Sequence, residues 1–238
     1  MPKTPLLLIP GVLCSPRLYA AQIDALKDVA DIVVPDWRKA PMSMWDSWDA
    51  TARWVLSQAP AEKFALAGLS LGGMISVEIM QIAPERVTRL ALLDTGMRSQ
   101  NEAERAIRYG RIRLADEGHF ELVLGLQLSR FIPAYRLPDK KLCDEVLAMC
   151  SEIGEAIYKK QEALAAIRAD RRPDLPRIKC PTLIVCGRDD AATPLFMSEE
   201  MHAAIKGSEL RIVEKCGHLV TMEKPEETNA ILRKWLAA

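Results

Sequence analysis

Six brief apolar runs punctuate the chain: Leu6–Ile9, Asp31–Val34, Phe64–Ala67, Arg89–Leu93, Thr182–Cys186 and Glu209–Val213. None alternates cleanly between apolar and polar residues, which is the signature of parallel strands covered by helices on both faces. Helical segments lie between them. Ser70 to Ala83 is apolar along one face and stops before Pro84, because proline disfavours the helical conformation of its predecessor. Leu195 to Ile205 follows Thr193-Pro194, which reads as an N-cap with proline in the first turn. Glu226 to Leu236 opens similarly after Pro225, with Trp235 expected to pack inward. Strand and helix in alternation predict an α/β fold: a mostly parallel sheet of at least six strands, helices on both faces, right-handed crossovers.

One stretch departs from the alternation. From Arg98 to about Arg177 the pattern is helical throughout, with breaks expected at Gly118, Gly125, Pro133, Pro138 and Gly154. So much helix exceeds a single crossover, so it reads as a helical cap inserted at 98–177 between two parts of one core, 1–97 and 178–238. Its amphipathic segments, such as Ala103–Leu114 and Leu142–Ile153, would lie over the carboxyl ends of the strands, where open α/β sheets bind ligands.

Composition narrows the function. The 32 basic and 32 acidic residues cancel, which removes the electrostatic reason to expect nucleic acid or an anionic membrane as partner. No apolar run approaches the ~18–20 residues of a membrane span, and Leu6–Ile9 is too short for a secretory signal core. The six cysteines lack metal-ligand spacing and read as reduced thiols of a cytoplasmic protein, with Cys14 and Cys216 as small buried side chains.

The chemistry is concentrated in Phe64-Ala-Leu-Ala-Gly68-Leu69-Ser70-Leu71-Gly72-Gly73, a strand, then Gly-x-Ser-x-Gly, then a helix. Such a turn lifts Ser70 above the sheet in a strained conformation and brings the flanking residues too close to carry side chains. A serine nucleophile needs a base. Of three histidines, His119 reads as a surface residue of the cap and His202 as part of a helix. His218 follows the last strand by a short loop and emerges at the same edge as Ser70. The carboxylate that orients it is expected at a strand end, with Asp190, Asp189 and Asp94 as candidates. Two N–H groups should hold the oxyanion. One is that of Leu71. The other comes from Ile9-Pro10-Gly11-Val12-Leu13, where Pro10 has no N–H and Val12 is the candidate.

Together these motifs resemble the α/β-hydrolase superfamily over Leu6–Asp94 and Cys180–Trp235. The resemblance is greatest to the compact capped branch of carboxylesterases, enol-lactone hydrolases, pimeloyl-carrier methyl-ester esterases and cofactor-free haloperoxidases. In that branch the acid lies three residues after a strand-ending glycine, which implies Asp190 after Gly187, and Gly-His-x-x-x-x-Glu-x-Pro matches Gly217 to Pro225. The resemblance supports Val12 as an oxyanion donor. It implies a serine esterase with the triad Ser70, His218 and Asp190, no cofactor, no metal, and a small-molecule ester as partner. Lactone opening, C–C hydrolysis and perhydrolysis are alternatives on the same triad, and a ligand-binding signalling protein is an alternative of another class. Two loops depart from the branch: Pro10-Gly11 replaces His-Gly, and Pro35-Asp36-Trp37-Arg38-Lys39-Ala40-Pro41 lacks the usual glycines. Leu13, Trp37, Met97, Leu126, Phe131, Met149 and Leu219 are candidates for an apolar substrate pocket, with Trp37 reading first as core and Met97, Leu126, Phe131 and Met149 reading equally as packing within the cap.

Overall fold

A computed structural model of the chain describes residues 2–237. Six strands, β1 (Thr4–Ile9), β2 (Ala30–Val33), β3 (Phe64–Leu69), β4 (Val87–Leu93), β5 (Thr182–Gly187) and β6 (Glu209–Val213), form one sheet in the order β2-β1-β3-β4-β5-β6. Every neighbouring pair is parallel. All residues of β3 and β5 are buried, whereas edge strands β2 and β6 are partly exposed, which explains the continuous apolar runs of the inner strands.

Strand order dictates where the helices go. The connection β1 to β2 steps toward one edge through α1 (Ala20–Leu26). The connections through α2 (Trp48–Ser57) and α3 (Leu71–Ile82) step the other way, as does α7 (Leu195–Ala204) between β5 and β6. Right-handed crossovers in opposite directions place their helices on opposite faces. Accordingly α1 packs with the last helix, α9 (Pro225–Ala237), and α2 packs with α3. Trp235 on α9 is buried, as its position in the amphipathic pattern predicts.

Between neighbouring strands β4 and β5 the chain is helical: α4 (Glu102–Asp116), α5 (Phe120–Phe131) and α6 (Lys140–Ala166), the last broken at Gly154, whose φ is 75°. The neck of this segment is pinned. Arg171 N–H donates to the Met97 carbonyl (2.8 Å), Arg168 Nε to the Arg98 carbonyl (2.6 Å), and the Arg171 guanidinium forks onto Glu78 through two bonds of 2.7 Å. Two local expectations are corrected. Gly125 lies inside α5 and breaks nothing, its Cα facing open space. Thr193 does not cap α7, because its hydroxyl is spent on Asp190 at 2.7 Å.

Candidate active site

The chain turns from one edge of the sheet to the other between β1 and β3, and such a switch point opens a crevice beyond the strand ends. Ser70 stands there, between β3 and α3, with φ 57° and ψ −117°. An L residue holds that strained backbone only when its surroundings fix it. Ser70 N–H donates to the Leu93 carbonyl (3.0 Å), and its own carbonyl accepts from Thr95 Oγ1 (2.7 Å). The glycines are required by contact: a Cβ on Gly68 would sit 2.2 Å from the Gly72 oxygen, and one on Gly72 would sit 2.0 Å from the Ile9 oxygen. The elbow is therefore packed against β1 as well as against itself.

The loops after β5 and β6 also touch, since a Cβ on Gly187 would lie 2.0 Å from the Gly217 carbonyl oxygen. That approach brings His218 Nδ1 to 2.8 Å from Asp190 Oδ2, both side chains being buried. Asp190 also accepts from Thr193 N–H (2.9 Å), Ala192 N–H (2.8 Å) and the Thr193 hydroxyl. Burial tends to raise its pKa, but His218 and these donors outweigh burial and hold the carboxyl below its ordinary value. An ionised carboxylate only accepts, so the ring proton sits on Nδ1 and Nε2 is left as the basic nitrogen. The other carboxylates are employed elsewhere. Asp189 is exposed and accepts from the Tyr135 hydroxyl (2.7 Å). Asp94 is fully buried, accepts from Gly187 N–H (2.9 Å) and Val220 N–H (3.1 Å), and is pushed to a raised pKa by burial and by Asp190. His119 and His202 are exposed.

Further residues hold this arrangement. Glu223 Oε1 accepts from Gly217 N–H (2.9 Å) and Leu219 N–H (3.3 Å), clamping His218 from either side. Phe131 from α5 stacks on the imidazole at 5.4 Å and 20°, and its carbonyl accepts the His218 N–H at 2.9 Å. A Cβ on Gly11 would lie 3.2 Å from the Ser70 Cβ, so the β1 exit loop abuts Ser70. Leu13 has φ 57°, and its N–H is taken by Gln161 Oε1 of α6 at 3.0 Å. Trp37 Nε1 donates to the Gly11 carbonyl at 3.3 Å. The glycine-poor loop after β2 therefore forms a short 3-10 turn capped by Asp36 and drives Trp37 beneath the β1 loop. Gln161 was missed in the sequence because a glutamine on an amphipathic helix carries no signal of its partner. Leu71 N–H opens α3, where the first amides lack intrahelical acceptors.

Asp94, Cys186 and Asp190 place one ligand atom each within 4.8 Å of one another. Each of their carboxylate oxygens accepts from a donor named above, and Cys186 Sγ donates to the Gly187 carbonyl (3.2 Å), so the group ties the loops together.

Ser70, His218, Val12 and Phe131 line one cavity of about 180 Å³. The other expected wall residues lie elsewhere. Leu13, Trp37, Met149 and Leu219 are fully buried in the core, Met97 sits at the neck, and Leu126 is 43% exposed on α5. An apolar wall was expected because periodicity marks which residues are buried but not which cavity they face. The cavity's apolar lining comes from Met74, Ile107, Ala192 and Met197 beside Val12 and Phe131, and the wall also carries Arg108, Arg111, Arg130, Arg168, Glu104 and Glu162.

A parallel six-stranded sheet with a strained serine elbow, and a buried His–Asp pair at the same edge, defines a class of α/β enzyme. The family model of the alpha/beta hydrolase fold matches residues 4–225, and the chain belongs to that family. It is 29% identical over 188 residues to "Putative carbamate hydrolase RutD" of Shigella flexneri serotype X, covering 77% of this chain and 69% of that one. Against the protein of the same name from Escherichia coli O139:H28 it is 27% identical over 244 residues, covering 97% and 90%. The fold is shared with a thermophilic esterase from Thermogutta terrifontis at TM-score 0.86 and 24% identity, covering 98% and 89%. It is shared equally with the enol-lactonase of Burkholderia xenovorans LB400 at TM-score 0.86 and 20% identity, covering 100% and 93%. Hydrolytic chemistry is the common denominator. Among the described residues, no helix is long and apolar enough to cross a membrane.

Proposed function

We propose that the protein is a serine hydrolase that cleaves carboxylic esters through an acyl-enzyme. The observation that carries this reading is the buried 2.8 Å contact between His218 Nδ1 and Asp190, with His218 and Ser70 on one cavity. Ser70 Oγ attacks the ester carbonyl and passes its proton to His218 Nε2, while Asp190 holds the ring and stabilises the imidazolium. The Val12 and Leu71 amides take the negative charge of the tetrahedral oxygen. His218 returns the proton to the departing alkoxide, which leaves as alcohol. A water then gives its proton to His218 and adds to the acyl carbon. Collapse of that intermediate releases the carboxylic acid and returns the proton to Ser70. The same steps open a lactone, whose alcohol stays attached to the product, or cleave a carbamate, as the names of the relatives suggest.

Ester hydrolysis followed in a pH-stat, wild type beside Ser70→Ala, tests the reading. Turnover is expected to fall by at least about 10³-fold in the variant. A folded Ser70→Ala protein that keeps wild-type turnover would remove Ser70 from the mechanism.

A further inference from the structure

The cavity beside Ser70 carries four guanidinium groups and two carboxylates, an excess of two positive charges. Glu162, which is buried, accepts on one oxygen from Arg108 Nη1 (3.0 Å) and Arg111 Nη2 (2.8 Å), both on α4. Glu104 is engaged by the Asn101 N–H at 2.8 Å. Arg130 and Arg168 have no carboxylate partner among the described residues. Arg130 Nη1 donates to Gln127 Oε1 (2.9 Å), while Arg168 donates to the Arg98 carbonyl and rests Nη1 3.5 Å from the Met74 sulfur. Arg111 Nε is buried without any acceptor. Burial lowers the pKa of Arg130, with Arg111 adding to the effect, and lowers that of Arg168 to about 10, with Arg108 adding. Both remain cations at neutral pH. Glu162 offsets both cations only through space, Glu104 likewise offsets Arg168, and Glu162 Oε1 is buried without a donor, so two positive charges are left over in the wall for an anionic occupant to relieve. A carboxylate offers up to four acceptor sites that match guanidinium forks.

We propose that this arginine wall selects the substrate: the ester or lactone cleaved at Ser70 bears a second, free carboxylate, held by Arg130 and Arg168 with Arg108 and Arg111 completing the wall. The inference rests on the serine-hydrolase reading above. A cavity of about 180 Å³ is smaller than the ~300–1,000 Å³ of common ligand sites, so the substrate is short, such as a half-ester of a short dicarboxylic acid.

The test compares monomethyl glutarate with its neutral isostere methyl 5-methylhexanoate. The half-ester is expected to have the higher kcat/KM by tenfold or more, and Arg130→Gln to cut that ratio by roughly tenfold to a hundredfold. Arg130→Lys, which keeps the charge, should retain part of the preference. Separately, succinate, glutarate and adipate are titrated calorimetrically into the Ser70→Ala protein, where binding should weaken with added salt and in an Arg130→Gln, Ser70→Ala protein. Equal kcat/KM for the two esters, or no binding of any of the three dicarboxylates, overturns the proposal. Should Ser70→Ala still hydrolyse the half-ester, the nucleophile is wrong while the titrations still decide the arginine wall. If Arg130→Gln does not fold, the salt dependence and the Arg130→Lys ratio stand in its place.

Discussion

Asp190→Asn isolates the contribution of one buried charge. In the wild type, Asp190 Oδ2 lies 2.8 Å from His218 Nδ1, and the other oxygen accepts two backbone amides. An asparagine can keep its oxygen on those amides, so the loop is expected to survive. Its NH₂ then meets the imidazole and the Thr193 hydroxyl, both of which donate to the carboxylate in the wild type. The ring responds by moving its proton to Nε2, the nitrogen that must accept from Ser70. The imidazolium also loses its counter-charge. At 2.8 Å and an effective dielectric constant near 20, that interaction is about 6 kcal/mol. This corresponds to roughly four decades in rate, somewhat less where the amide dipole compensates. A loss of about 10³- to 10⁴-fold in kcat is therefore expected, with KM changed far less. Asp189→Asn removes only an exposed partner of Tyr135 and is expected to lower kcat by less than about fivefold. Ester turnover by both variants, checked for folding by circular dichroism, decides the assignment. A loss below tenfold in Asp190→Asn, or a larger loss in Asp189→Asn, would refute it.

Glycine positions give a stability contrast: Gly72→Ala forces a Cβ to 2.0 Å from the Ile9 carbonyl and should lose at least about 3 kcal/mol in urea unfolding. Gly125→Ala meets nothing within 4 Å on α5 and should gain about 0.5–1 kcal/mol, so a reversed order would contradict the packing account. The depressed Asp190 pKa gives a pH signature. Its folded value lies below the unfolded one of about 3.9, so its contribution to stability is present above about pH 4 and is lost as pH falls through the folded value. The stability gap between wild type and Asp190→Asn should accordingly narrow from pH 6 to pH 3, and a gap that widens toward acid would count against the ionised carboxylate. Asp94 acts in the opposite sense, its raised pKa making ionisation increasingly unfavourable to the fold as pH rises.

The sheet was legible because inner parallel strands must be apolar on both faces and helices must repeat at 3.6 residues. The six strands lie within a few residues of the expected runs, and the segment between β4 and β5 is helical as its pattern implies. Glycine spacing disclosed the elbow at Ser70, because atoms 2.0–2.2 Å apart admit no side chain. Position after strands singled out His218. Local reading failed where a residue serves a distant partner. Thr193 looked like a helix cap and is bonded to Asp190, and Trp37, readable as core or as a pocket wall, is core and bonds the Gly11 carbonyl.

The sequence by itself determined the class of fold and singled out Ser70 and His218 as candidates, since each rests on a local rule of backbone sterics or periodicity. The family resemblance pointed to Asp190, and the tertiary structure shows the contact itself: Asp189 and Asp190 are adjacent, and from one loop the first turns to Tyr135 and the second to His218. It alone revealed the Gln161 bond to Leu13 and the arginine wall, whose members come from α4, α5 and the chain just beyond α6. The basic and acidic residues cancel over the whole chain, and folding is what gathers four arginines and two glutamates around one small cavity.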